Sequence, residues 1–270
     1  VYPTITNKCK KHIPINWKNN LDQLTSIKFN KVIKNIIDTI QSIKYNITNI
    51  NTQVNNASQH LHSLLNSKFC SADILQDIND SHNCRISISF TFQLPNASES
   101  TEYSNLDIFC TQSDLKTISK SFIHKVISRI LFLNFYLDTK TLPNKIHLYC
   151  SNKKKKFPKL NSRFTTQNTN SAVTDSIDIV IFRKEELLKS IIHELIHFHQ
   201  IDNIIYPNQL VQELINTHHI SNKNPYYIRE SITEVLTTLF NSGFICHKQI
   251  NNLSIKPLIN HYKNTILNEM

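Results

Sequence analysis

The chain has 270 residues, of which 40% are hydrophobic and 19% are charged, so it can bury a core and is too apolar to be wholly disordered. Its single glycine, Gly243, excludes glycine-rich phosphate loops and dinucleotide-binding fingerprints, and no apolar run is long enough to predict a membrane span. The formal charge of +10 is uneven: residues 1–70 carry nine Lys and Arg against two Asp and Glu, and residues 143–175 carry seven against one. A basic surface favours acidic partners. Nucleic acid is not expected, because no recognition motif accompanies the charge.

The first 70 residues are predicted to form a helical region. Apolar residues recur every three or four positions from Leu21 to Ile50, which predicts one long helix over 21–50. A polar stretch follows, and then a short helix through Leu61, Leu64 and Leu65. We interpret this region as a cover, a pro-segment or a partner-binding layer that precedes a second domain over 71–270.

The second domain is predicted to have an α+β fold, with a small mixed sheet followed by a helical half. The strands are predicted at 85–94, 106–110, 146–150 and 177–182. The helices are predicted at 114–137, with Asp114 as the cap, and then at 184–200, 208–220 and 226–242. A loop from Lys153 to Thr174 connects the last two strands.

The segment His193-Glu194-Leu195-Ile196-His197 carries the chemistry. Two histidines four residues apart project from one face of a helix, so both imidazoles can bind one zinc ion. Glu194 follows the first histidine directly, which places its carboxylate within reach of a water on that metal. The pattern therefore predicts a zinc site with Glu194 as general base.

A catalytic zinc site needs a third protein ligand. The position at which the metzincin pattern has its third histidine is Asn203, so that pattern is excluded. His218 and His219 lie 21 and 22 residues after His197, and Glu230 and Glu234 lie 33 and 37 residues after it. The spacing alone leaves these candidates open.

With HExxH on one helix and Glu230 and Glu234 on a later one, residues 145–245 resemble the gluzincin group of zincin metallopeptidases, which includes thermolysin and neprilysin. The resemblance implies a zincin-like fold that binds one Zn²⁺ per chain through His193, His197 and Glu230. It implies that Glu234 orients a ligand histidine through the free ring nitrogen. It also implies peptide-bond hydrolysis, with an extended substrate bound along an edge strand, either 177–182 or the strand before it.

Other features leave alternatives. The oxyanion of the transition state could be stabilised by Tyr226, Tyr227, Arg229, His261 or Tyr262. Glu234 or His218 is the alternative third ligand. A different function would be a zincin-like binding protein without catalysis, which engages an acidic partner or nucleic acid through its basic surface.

Lysines and cysteines give two further expectations. Lys153–Lys156 and Lys159 are expected to form a solvated basic loop. Such a loop could attract an acidic peptide or protein substrate. The six cysteines permit three disulfides, which favours secretion, and free thiols in a cytosolic protein are the alternative.

Overall fold

A mixed six-stranded β-sheet organises the computed structural model, which describes residues 27–54, 65, 68–156, 165, 169–203 and 226–249. The strands are β1 (Tyr45–Val54), β2 (Cys84–Phe92), β3 (Thr101–Cys110), β4 (Lys145–Ser151), β5 (Ala172–Thr174) and β6 (Asp178–Arg183). Their order is β1-β2-β3-β4-β6-β5. Strands β3, β4 and β6 are parallel to one another. At one end of the sheet, β1 pairs antiparallel with β2 and β2 with β3, and at the other end β5 pairs antiparallel with β6.

The described helices cover the two faces of this sheet. They are α1 (Ile27–Ser42), α2 (Ala72–Ser81), α3 (Gln112–Leu115), α4 (Lys120–Leu137), α5 (Leu187–Phe198) and α6 (Tyr226–Gln249), and a 3₁₀ turn at Lys184–Glu186 leads into α5. One face of the sheet packs against α4 and α5 in the larger core, to which α1 and α6 also contribute. The other face packs against α2. The mixed α/β architecture is therefore a layered sheet with helices on both sides.

The alternating pattern of the central strands explains this arrangement. In β2, the residues from Cys84 to Phe92 alternate strictly between buried and half-buried. In β6, Ile179 and Ile181 face the larger core, whereas Val180 and Phe182 face α2. A strand that is apolar on both faces belongs in the middle of a covered sheet, and its successive side chains fill opposite cores.

Most predicted strands and helices of the second domain are confirmed. Strands β2, β4 and β6 match the predictions for 85–94, 146–150 and 177–182, and β3 extends the strand at 106–110 back to Thr101. The 3₁₀ turn and α5 match the helix at 184–200, and α6 extends the helix at 226–242. Helix α2 and strand β5 were not predicted. The predicted helix at 208–220, and Leu61 and Leu64 of the short predicted helix, lie outside the described residues.

The prediction of a helix over 21–50 is wrong after Ser42, because β1 begins at Tyr45 and pairs with β2 along its length. A β-bulge between Ile47 and Asn49 explains the misleading pattern. Ile47 lies opposite Phe90 and Ile50 lies opposite Ile88, so three residues of β1 span two of β2. The extra residue converts the spacing of two that a strand requires into a spacing of three, which imitates a helix.

The predicted cap of the long helix is also wrong. Asp114 lies within the short helix α3, where its backbone N–H donates to the Thr111 hydroxyl at 3.0 Å. The cap of α4 is Ser119, whose hydroxyl accepts from the N–H of Phe122 at 3.2 Å. The Asp114 carboxylate instead accepts from the Lys184 ammonium at 2.6 Å.

The first predicted domain contributes to the same core. Ile36 and Ile40 of α1 belong to the larger core, and β1 forms one edge of the sheet. The boundary at residue 70 and the role of residues 1–70 stay predictions. Among the described helices, none has the length and apolar content that a bilayer span requires.

No disulfide forms among the five described cysteines, and all five are buried. Burial raises the pKa of Cys110 and of Cys150 to about 12, so these thiols stay protonated and unreactive. Cys9 lies outside the described residues, and secretion stays a prediction.

Arg183 ties two loops to the end of β6. Its side chain is buried, with Nε donating to the carbonyl of Asn170 at 2.8 Å and Nη1 to the carbonyl of Lys153 at 2.7 Å. The first loop leads into β5 and the second follows β4. This one guanidinium therefore sets the position of both loops relative to the sheet.

We expect Arg183→Met to lower the free energy of unfolding by about 2–4 kcal/mol, because it removes the buried guanidinium that donates to two part-buried carbonyls. Urea denaturation measures the change. Lys154→Met, at an exposed position in one of the same loops, is the control and should change the stability by less than about 0.5 kcal/mol. Equal stabilities for the two variants would contradict the role of Arg183.

Candidate metal centre

Helix α5 is held by its apolar side and presents its polar side to a cavity. Ile191, Ile192, Leu195 and Ile196 are buried in the larger core. His193 and His197, four residues apart, lie on the opposite side and line a cavity of about 970 Å³. Helix α6 packs against α5 and brings Glu230 to the same cavity.

Three side chains converge at one point in this cavity. The two Nε2 atoms of His193 and His197 lie 3.1 Å apart, and they lie 3.6 and 3.3 Å from the two carboxylate oxygens of Glu230. Tetrahedral zinc, with bonds of about 2.0–2.1 Å, holds its ligand atoms about 3.3–3.4 Å apart. The spacing of these atoms, contributed by three residues, therefore fits the ligand set of a zinc ion.

The other ring nitrogen of each histidine faces a carboxylate. Nδ1 of His193 lies 3.1 Å from Oε1 of Glu234, and Nδ1 of His197 lies 2.5 Å from Oδ2 of Asp202. An ionised carboxylate only accepts hydrogen bonds, so each Nδ1 carries a proton. When both imidazoles are neutral, each Nε2 atom carries a lone pair, and the two lone pairs face each other and the Glu230 carboxylate. These groups repel one another unless a positive charge lies between them. A proton or a metal ion can supply it.

The neighbouring charges shift the pKa of the histidines and of Glu230 in opposite directions. Burial by itself would lower the pKa of His193, but the Glu230 and Glu234 carboxylates raise it to about 10. The same pair of histidines holds the pKa of Glu230 well below its usual range, although burial opposes this. The cluster thus stabilises a cation at the convergence point.

Asp202, which the sequence did not predict as a site residue, is the most enclosed part of the cluster. Its side chain has no exposed surface, and it accepts from Arg229 at 2.7 and 3.1 Å and from the Thr233 hydroxyl at 3.0 Å. These donors, together with His197, keep the pKa of Asp202 low although burial raises it. Asp202 therefore stays charged and fixes the orientation of the His197 ring.

A turn at the end of α5 brings Asp202 back to His197. The Ile201 N–H donates to the carbonyl of Ile196 and the Gln200 N–H to that of His197, with Gln200 in the left-handed region at a φ of 53°. This is the Schellman pattern of helix termination. The reversal places a residue only five positions after His197 behind its ring.

Glu234 holds the other histidine from one turn along α6. Its second oxygen accepts from the Lys189 ammonium at 2.8 Å. Hydrogen bonding from His193 lowers the pKa of Glu234 to about 2 against the effect of burial. The carboxylate is thus charged and lies behind His193.

Glu194 is buried, with 6% of its surface exposed, and it also lines the cavity. Burial raises the pKa of its carboxyl group, an effect that the neighbouring His193 and His197 oppose. A carboxylate whose basicity is raised by burial, next to a point of positive charge, suits proton transfer.

The remaining predicted site residues are less defined. Arg229 lines the cavity, but its guanidinium donates to Asp202. The side chains of Tyr226 and Tyr227 lie outside the described residues, as do His218, His219, His261 and Tyr262. Their roles as transition-state stabilisers or alternative ligands stay predictions.

The two glutamates of α6 should differ in their effect on metal binding. Glu230→Ala removes one of the three converging groups, and Glu234→Ala removes a carboxylate behind His193. We expect Glu234→Ala to weaken zinc binding by about 10–100-fold and Glu230→Ala to weaken it more. Competition with a chelator of known affinity measures both, and circular dichroism checks folding. The reverse order would make Glu234 the ligand.

Asp202→Asn should weaken zinc binding by about 10–100-fold, because a neutral amide fixes the proton on Nδ1 of His197 less strongly. Nitrogen NMR shifts of His197 report which ring nitrogen carries the proton, and should show a mixed population in the variant. Asp175→Asn is the control, since Asp175 lines the same cavity but accepts from the backbone N–H groups of Ile177 and Asp178. Equal zinc affinity in Asp202→Asn and the wild type would refute the positioning role.

Comparison with protein-family models, with curated proteins and with solved structures finds no match.

Proposed function

We propose that the chain is a zinc-dependent peptidase with a zincin-like catalytic domain. The observation that carries the proposal is the convergence of two imidazole nitrogens and one carboxylate, at 3.1–3.6 Å from one another, beside the buried Glu194. A site that only binds metal has no need of an adjacent base. The layered sheet, the helix that follows β6 and the short edge strand support the zincin-like assignment.

The residues would divide the reaction between them. His193, His197 and Glu230 would hold the metal, while Asp202 and Glu234 keep the two imidazoles oriented. Bound zinc would supply a Lewis acid that polarises the scissile carbonyl and lowers the pKa of a water. Glu194 would accept the proton of the attacking water and pass it to the leaving amine.

Strand β5 would bind the substrate in an extended conformation. The N–H of Phe182 donates to the carbonyl of Ser171 at 2.9 Å, directly before β5. Because hydrogen-bonded and non-hydrogen-bonded pairs alternate in antiparallel strands, Val173 bonds to β6, whereas the backbone groups of Ala172 and Thr174 point away from it. These groups lie along the cavity wall and suit strand addition by a peptide.

Glu194→Gln tests the proposal, because it keeps the shape of the side chain and removes the base. We expect the variant to bind zinc as the wild type does and hydrolysis to fall by about 10²–10⁴-fold. A mixed peptide library, with products identified by mass spectrometry, measures cleavage without assuming a specificity. Elemental analysis measures zinc.

Glu102→Gln, at an exposed position on β3, is the matched control and should keep full activity. Chelation should abolish cleavage, and added zinc should restore it. A wild-type protein that binds zinc and cleaves no peptide would overturn the proposal and favour the non-catalytic binding protein. Loss of zinc from Glu194→Gln would instead make Glu194 a ligand or a folding residue.

A further inference from the structure

A second charged cluster, formed by Lys155, Ser171 and Glu186, lines the same cavity near the first turn of α5. The Lys155 ammonium contacts Oε2 of Glu186 at 2.6 Å, and the Ser171 hydroxyl donates to the same oxygen at 2.5 Å. All three residues line the cavity that contains His193. None of them contacts the metal-binding group in the part of the chain that the structure describes, so the metal site does not explain their presence.

Lys155 is placed in the cavity by its backbone. Its N–H donates to the Glu185 carboxylate at 2.8 Å, and Arg183 holds the carbonyl of Lys153 in the same loop. As a result, Lys155 lines the cavity and is partly buried, whereas Lys153, Lys154 and Lys156 are exposed. The basic loop predicted from the sequence therefore contributes one particular ammonium group to the cavity wall.

The distance from this ammonium to the metal centre corresponds to a short peptide segment. Glu186 is the residue that precedes the first turn of α5, seven residues before His193, which corresponds to about 10 Å along the helix axis. An extended peptide advances about 3.3 Å per residue. A peptide lying along β5 would therefore have its third residue from the scissile bond near Lys155.

We propose that Lys155, held in place by Glu186 and Ser171, binds a carboxylate of the substrate about three residues from the scissile bond. The inference rests on the proposed peptidase function and names the substrate class for it. Two sources supply this chemistry, the side chain of Asp or Glu and the C-terminal carboxylate of a short peptide.

The contacts favour an anion over a cation at this point. An ammonium has three N–H donors, and the described contact with Glu186 uses one of them. Oε2 of Glu186, in contrast, already accepts from both Ser171 and Lys155. The loop at 153–156, of which Lys155 lines the cavity, carries four positive charges against two negative charges on Glu185 and Glu186, so the net local charge favours an incoming carboxylate over an ammonium group.

The test uses a peptide that the wild type cleaves and its matched derivatives. One series replaces Gln by Glu at each of the four positions on either side of the scissile bond, and a second compares the free C-terminus with its amide. The measured quantity is the ratio of kcat/KM for each carboxylate-bearing peptide to that of its neutral twin. We expect a ratio of about 10 or more at one position about three residues from the bond, as for a hydrogen bond to a charged group.

Lys155→Gln should bring that ratio close to 1, and Lys155→Arg, which keeps the charge, should retain most of it. Lys154→Gln is the matched control, because it removes the same charge from the same loop without removing a cavity contact. At 0.15 M ionic strength, with a Debye length of about 8 Å, it should change the ratio by less than about two-fold. Zinc content and urea denaturation confirm that each variant is folded.

Each outcome either identifies the carboxylate that Lys155 binds or refutes the inference. A preference lost on amidation identifies the C-terminal carboxylate as the ligand, and one lost on changing Glu to Gln identifies a side chain. Cleavage with no carboxylate preference, or with equal ratios in Lys155→Gln and the wild type, overturns this inference and leaves the peptidase function standing. A preference for Lys or Arg at this position also overturns it and assigns recognition to Glu186. No cleavage of any peptide overturns both proposals.

Discussion

Two hydrogen bonds between imidazole and carboxylate groups determine the character of the site. Asp202 and Glu234 accept from Nδ1 of His197 and His193, which leaves both Nε2 atoms as acceptors that face Glu230. Three electron-rich groups at 3.1–3.6 Å repel one another unless a cation lies between them. The rest of the local structure serves to keep these groups at that distance.

The backbone delivers the two orienting carboxylates in different ways. Glu234 follows Glu230 by one turn of α6, so a single helix supplies both a converging group and a carboxylate behind the other histidine. Asp202 depends on the turn at Gln200, which reverses the chain after α5. Its buried carboxylate is stable there because Arg229 and Thr233 of α6 donate to it. The packing of α5 against α6 and the orientation of His197 are therefore coupled.

The charged residues around the site differ in whether they form an ion pair. Lys189 pairs with Glu234, Arg229 with Asp202, and Lys155 with Glu186. Among the described acidic residues around the histidines, Glu194 and Glu230 have no ion pair with Lys or Arg, and these are the two that the proposed reaction uses as base and ligand. The described lysine and arginine side chains that line the cavity are therefore each paired with a carboxylate, and Lys155 keeps N–H donors beyond its contact with Glu186.

Local spacing was sufficient to predict the part of the site that lies on single helices. The pairing of His193 with His197 and the position of Glu194 follow from the helical repeat, and Glu230 and Glu234 were identified by resemblance to a known pattern on a later helix. The central strands were also predictable, because residues such as Ile86, Ile88 and Phe90 alternate with polar ones. Strand β1 was not predictable, because the β-bulge that gives its apolar residues a helical spacing is a property of its pairing with β2.

Tertiary structure alone decided the remaining features. Asp202 carries no distinguishing pattern, and its role exists only because a turn and two donors from α6 enclose it. Lys155 is one of four adjacent lysines in the sequence, and only the hydrogen bonds of Arg183 and Glu185 to its loop select it for the cavity. The sequence determines which groups recur along a helix or a strand, because those periods are short and local. Which groups come into contact across the fold depends on how distant segments pack, and the residue spacing within one helix or strand does not predict those contacts.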